Sequence, residues 1–218
     1  VLEKLVMTIA VTGATGYLGR HMLLSLIDRG EDVVAFAAEG SLPPDIARQV
    51  PLELHAINDA TGMAEKFRAH GINRIIHFAG DGTIPASLID PLREYETTLV
   101  ATLSVLRAAA TTKCEHFVFS STASVYGTPP LMPIREETDL HPISPYGAAM
   151  AMAERIVTDV CRPACISTVL LRYFNVAGAD LKLRSGETGH PRHLIKAAAQ
   201  ITTGILREPL KIYGDDYE

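Results

Sequence analysis

Hydrophobic positions in this 218-residue chain follow two rhythms. Short, nearly unbroken apolar blocks run over Thr8 to Val11, Val33 to Ala37, Leu52 to Ile57, Arg74 to Phe78, His116 to Ser121 and Ile166 to Phe174. Such blocks predict strands buried on both faces, as in a parallel sheet. Between them, apolar residues recur every three or four positions, the period of a helix packed by one face. Gly19 to Arg29 puts Met22, Leu23, Leu26 and Ile27 on one side and is followed by Gly30, suited to a left-handed helix end. Pro91 opens a longer helix whose inward stripe reads Leu92, Tyr95, Leu99, Thr102 or Leu103 and Leu106, with a polar opposite face. A third runs from about Pro145 to Cys161 with Tyr146, Met150, Ala153, Val157 and Val160 inward. Alternating strands and helices predict βαβ units, an α/β fold with a doubly wound parallel sheet.

The length suits one sizeable core. No apolar run approaches a membrane span and no basic segment precedes an apolar one, so the expected setting is soluble and cytoplasmic, without a membrane partner. The net charge of −5 comes without a basic cluster, which argues against nucleic acid. Three cysteines, Cys114, Cys161 and Cys165, give no disulfide framework, and Pro163 interrupts the pairing that would make the last two metal ligands; no metal is expected. Residues 1–6 precede Met7, the more natural initiator, and are set aside.

Gly13-Ala14-Thr15-Gly16-Tyr17-Leu18-Gly19 follows the first strand and opens the first helix, the context in which a glycine pattern means a dinucleotide site of Rossmann type. Gly13 allows the tight turn, Gly16 lets amides approach a pyrophosphate, and Gly19 permits close helix-strand packing. The helix N-terminus then faces the anion. The crevice should lie beyond the first and fourth strands, where His77-Phe78-Ala79-Gly80 ends the fourth. Small Ala79 and Gly80 leave room for cofactor, while His77 is expected to pack or hydrogen-bond inside the sheet.

The glycine motif, IIHFAG at 75–80, FSSTASVYG at 119–127, SPYG at 144–147 and LRYFNVAGAD at 171–180 together resemble the UDP-glucose 4-epimerase family of extended short-chain dehydrogenase/reductases. The resemblance covers nearly the whole chain. It implies a dinucleotide domain over residues 7–180 and, over 181–218, the start of a substrate-binding part whose remainder lies beyond Glu218. It implies NAD as cofactor, a UDP-sugar substrate, and a homodimer paired through two long helices. The reaction it implies removes the sugar C4 hydroxyl proton while hydride passes to NAD+, turns the 4-keto sugar, and returns hydride to its other face. By motif position Thr122 and Tyr146 are catalytic. Gly13, Gly16, Tyr17, Leu18, Gly19, Phe78, Ala79, Gly80, Tyr173 and Phe174 line the cofactor; Thr122, Asn175 and Leu194 meet the substrate.

The family's catalytic lysine falls on Met150, one turn after Tyr146 on the same helix face. An unperturbed tyrosine, with a pKa of about 10, is roughly 0.1% ionised at pH 7, so losing the lysine costs on the order of a thousandfold in rate. A thioether on an inward face also fills core volume. The ribose-binding acid falls on Ala37, the adenine-side Asp on Ala56, a cofactor-contacting Lys on Gly82 and an Asn on Thr98, leaving Glu39 or Asp59 as out-of-register substitutes. The expected function is a UDP-hexose 4-epimerase impaired at the lysine; the alternative is a non-catalytic nucleotide-sugar and NAD-binding module of the same descent. A 4,6-dehydratase is disfavoured because Ala123-Ser124 stands where related dehydratases carry Asp-Glu.

Overall fold

The computed structural model describes residues 7–56, 58–78, 80, 83–188 and 193–210. Six parallel strands, β1 (Thr8–Thr12), β2 (Val33–Ala37), β3 (Leu52–Leu54), β4 (Ile72–Phe78), β5 (His116–Thr122) and β6 (Ser167–Tyr173), form one sheet in the order β3-β2-β1-β4-β5-β6. That is the doubly wound order, and it reverses between β1 and β4 as expected. Helices α1 (Tyr17–Asp28) and α2 (Pro44–Ala47) belong to one face; α3 (Ala60–Ala69), α6 (Ala101–Thr111) and α7 (Pro145–Cys161) belong to the other. Short α4 (Ile84–Ile89) and α5 (Pro91–Tyr95) pack on α7. Alternate strand residues feed two cores. Ala10, Val34, Phe36, Ile75, Phe117 and Phe119 meet α3, α6 and α7, while Ile9, Val11, Val33 and Ala35 meet α1.

Two expectations about burial fail for local reasons. Val169 and Leu171 share the face of β6 turned away from the α7 core, on which Leu170 packs, and are 50% and 41% exposed although their block is apolar. Edge strand β3 ends at Leu54, short of the expected Ile57, which lies outside the described residues. On the long helix the expected stripe is displaced: Leu92 is 74% exposed, and the buried line runs through Glu94, Thr98 and Thr102 before reaching Val105 and Leu106. The cause is a π-helical turn over Glu96–Val100 between α5 and α6. Its extra residue rotates the preceding face by about 100°. Thr97 supports it by donating to the Arg93 carbonyl at 2.9 Å, in competition with the backbone ladder.

Contacts divide the chain after Phe174. In the second unit, Asn175–Glu218, Asp180 holds Arg184 at 2.8 Å, an isolated bridge joins Ala179 to Gly186, and Leu194–Thr202 forms α8. Among the described residues no helix is long and apolar enough to cross a membrane, and no cluster of His, Cys, Asp and Glu could hold a metal.

Candidate functional site

The turn after β1 is built for close approach. Gly13 adopts φ +67°, and a β-carbon there would fall 2.6 Å from the Phe78 carbonyl oxygen. A β-carbon on Gly19 would fall 2.3 Å from the Gly13 oxygen, so α1 begins pressed against the turn. Gly16 is the exposed N-cap, with no side chain capping the helix. The α1 N-terminus is therefore open to an anion, and the turn fits a dinucleotide pyrophosphate. Tyr17 stands edge-on to His21 at 4.9 Å, Leu18 and Phe78 are half-buried, and Gly80 is exposed with φ +64°. Ala79 and Gly82 lie outside the described residues.

At the β2 end Ala37 is buried and carries no acid. Exposed Glu39 holds the turn by its backbone, its carbonyl accepting from the Thr15 hydroxyl at 3.2 Å. Asp59 is engaged elsewhere: its carboxylate caps α3, accepting from the Gly62 amide at 2.9 Å. Ala56 is exposed.

The carboxyl end of β5 carries hydroxyls. Thr122 donates to Ser124 at 3.2 Å, and its hydroxyl lies close enough to the Tyr146 phenol to favour the ionised form. Ser144 caps α7 by accepting from the Gly147 amide at 3.1 Å. A β-carbon on Gly147 would lie 2.6 Å from the Ser124 carbonyl oxygen, so only glycine lets α7 set Tyr146 this close to β5. Burial raises the Tyr146 phenol above its ordinary value, the Thr122 hydroxyl lowers it, and Glu94 and the nearby Tyr173 raise it further. Met150, 2% exposed, is packed into the core one turn along α7. The next turn brings buried Glu154, which accepts from Ser121 and holds Arg172 through contacts of 2.7 Å and 2.9 Å. Arg172 also donates to the Tyr126 hydroxyl at 2.9 Å. This network ties β5, α7 and β6 together beside Thr122 and Tyr146. Tyr173 bonds Ser120, while Phe174 is 69% exposed. Asn175 and Leu194 belong to the second unit, and both are exposed.

Sequence reading missed Ser124, the Glu154–Arg172 pair and Glu94. Ser124 was visible as part of a hydroxyl-rich run, but Glu94 depends on the rotated helix. His77 is 2% exposed, and burial holds it down to about 3, so it is neutral. Its tautomer follows from its neighbours. Thr102 donates to the Thr98 carbonyl at 2.7 Å and therefore accepts from His77 Nε2 at 3.2 Å, leaving Nδ1 to accept from Thr12 at 2.6 Å. Thr98 then donates to Glu94 Oε1 at 2.9 Å. A buried polar line thus runs from the end of β1 to Glu94. A cavity of about 520 Å³ lined by Gly30, Asp32, Gln49 and His70 sits at the amino ends of the strands, away from this chemistry.

The sequence matches the NAD dependent epimerase/dehydratase family over residues 9–217. It is 39% identical over 217 residues to the UDP-glucose 4-epimerase of Azospirillum brasilense, covering 96% of this chain and 61% of that protein. The structure of UDP-glucose 4-epimerase from Brucella ovis in complex with NAD is similar with a TM-score of 0.89 at 31% identity, covering 97% of this chain and 65% of that one. The enzyme from Bifidobacterium longum in complex with NAD+ and UDP gives 0.86 at 32% identity, covering 97% and 67%. The chain therefore spans about two thirds or less of the length of these relatives. With a doubly wound sheet, a glycine turn at its reversal point and this extent of likeness, the chain belongs to the NAD dependent epimerase/dehydratase family, among its UDP-glucose 4-epimerase-like members.

Proposed function

We propose that this chain carries the cofactor and catalytic part of a cytoplasmic UDP-hexose 4-epimerase, interconverting UDP-glucose and UDP-galactose through a 4-keto sugar, and that it is slow because Met150 stands in the lysine position. The observation that carries this is the placing of the Thr122 hydroxyl at the end of β5 within the influence of the Tyr146 phenol, which the Gly147 approach to Ser124 brings against that end, two strands from the glycine turn. Two strand spacings are about 10 Å, a span a dinucleotide bridges. NAD, when bound, supplies the site that accepts and returns the C4 hydride. Residues 7–180 hold the dinucleotide, with Gly13, Gly16 and the α1 N-terminus against the pyrophosphate and Tyr17, Leu18, Phe78, Ala79, Gly80, Tyr173 and Phe174 along it. Thr122 bonds the C4 oxygen and Tyr146 moves its proton. Residues 181–218 open the substrate part, with Asn175 and Leu194 toward the UDP-sugar. A homodimer forms through α5–α6 and α7, which expose Leu92 and Met152; solution mass tests it.

Incubation with UDP-galactose and NAD+ should yield UDP-glucose at a rate that climbs with pH as Tyr146 ionises. Absence of turnover at every pH would refute catalysis. The second reading, a non-catalytic nucleotide-sugar and NAD-binding module, is favoured by a phenol pushed up beside a buried methionine. It predicts ligand stabilisation without turnover, and fails if neither NAD+ nor UDP-sugar at millimolar concentration raises the melting temperature.

A further inference from the structure

Arg172 on β6 reaches three segments that meet at the carboxyl end of β5. Its Nε and Nη2 hold the Glu154 carboxylate on α7 at 2.9 Å and 2.7 Å. Its Nη1 donates to the Tyr126 hydroxyl at 2.9 Å and to the Glu136 carbonyl at 3.0 Å, and its guanidinium stands 5.1 Å from the Tyr126 ring centre. Glu154 in turn accepts from Ser121. Thr122 is therefore bracketed: Ser121 precedes it, and the 3-10 turn Ala123–Tyr126, which Thr122 caps, follows it. Glu136 lies in the loop that leads from that turn to α7. The start of α7 touches the same turn, since a β-carbon on Gly147 would fall 2.6 Å from the Ser124 carbonyl oxygen.

Fold stability does not account for this arrangement. The Glu154 side chain is 4% exposed and that of Arg172 21%, and a desolvated ion pair gains about as much in attraction as it loses in hydration, so apolar residues of like size hold a fold equally well. What a fork of fixed donors adds is direction. Tyr146, Met150 and Glu154 recur every four residues along α7 and share one face. The middle one packs through a flexible thioether, which fills volume without fixing register, so register along this face falls to Glu154.

We propose that Arg172, acting through Glu154 and Tyr126, is a positioning residue that sets Tyr146 against Thr122, with no net gain in fold stability. This rests on the function proposed above, in which those two groups act on the same C4 hydroxyl. A displacement of about 1 Å between reacting groups costs on the order of a hundredfold in rate.

The test replaces both charges at once, Glu154→Leu with Arg172→Met, in the whole 218-residue chain. Each single substitution strands the opposite charge and should lower the melting temperature, and the double variant should recover most of that loss. Its kcat for UDP-galactose, with NAD+ saturating, should nevertheless stay down about a hundredfold. Amide hydrogen exchange at Ser124, Gly127 and Gly147 should run about tenfold faster than in the parent, the mark of local opening without global unfolding. Arg172→Lys keeps the charge, but one ammonium cannot span Glu154, Tyr126 and the Glu136 carbonyl, and kcat should fall about tenfold. Turnover within about threefold of the parent in either variant, or unchanged exchange in the folded double variant, overturns the proposal and leaves the assigned function standing. A double variant no more stable than the singles also overturns it, since the pair would then stabilise the fold. Absence of turnover in the unsubstituted chain overturns it together with the function on which it rests.

Discussion

Restoring a lysine at position 150 tests the electrostatic account of Tyr146 directly. The two positions are one turn apart on α7, with β-carbons about 5–6 Å apart. An ammonium about 6 Å from the phenol oxygen at an effective dielectric of about 20 favours the phenolate by about 2.8 kcal/mol, close to 2 pKa units. The phenolate population near neutral pH then rises about a hundredfold. If Tyr146 is the base, the rate of UDP-galactose conversion rises by a similar factor, and the ascending limb of the pH-rate profile moves about 2 units toward acid. Met150 is 2% exposed, so a lysine there gives up core packing; a loss of about 2 kcal/mol lowers the melting temperature by roughly 4–8 °C in a chain of this size. The assay is initial rate against pH from 6 to 10 with NAD+ saturating. A folded, NAD-binding Met150→Lys protein whose rate stays within twofold of the parent at every pH would refute the reasoning.

Gly19→Ala forces a β-carbon to 2.3 Å from the Gly13 oxygen, so backbone must move; stability should fall by about 1–3 kcal/mol and calorimetric NAD+ binding should weaken more than tenfold. His77 is held to about 3 when folded against an ordinary 6.5, so below pH 6.5 the unfolded chain takes up a proton that the native chain does not. Its stabilisation is complete above pH 6.5 and declines by about 1.4 kcal/mol per unit as pH falls toward 3. Unfolding free energies from urea titrations at pH 7.5 and 5 should differ by about 2 kcal/mol through this group, a difference that His77→Asn removes; an identical pH slope in that variant would contradict the assignment. Ala37→Asp places a carboxylate at the end of β2 and should strengthen NAD+ relative to NADP+ about tenfold, measured by competitive titration; an unaltered preference would mean that the ribose does not lie there.

The strand blocks, the glycine turn and the start of α7 near Pro145 were legible in the sequence, and the resemblance to family motifs pointed to Thr122, Tyr146 and Met150. The elements depend on local spacing, an unbroken apolar run, glycines three apart or a four-residue helical repeat, and the three positions on short motifs contiguous in sequence. The exposed face of β6 was not legible, because an apolar block reads the same whether one or both of its faces are covered. Nor was the inward turn of Glu94, since a single π turn rotates one helical face against another without leaving a mark in the periodicity. The role of Asp59 as a helix cap and the line from Thr12 to Glu94 likewise join residues far apart in sequence. Sequence alone determined which chemical groups this protein owns and the order of its elements; tertiary packing decided which of those groups lose water and face one another, because burial and charge contact are properties of neighbours in space.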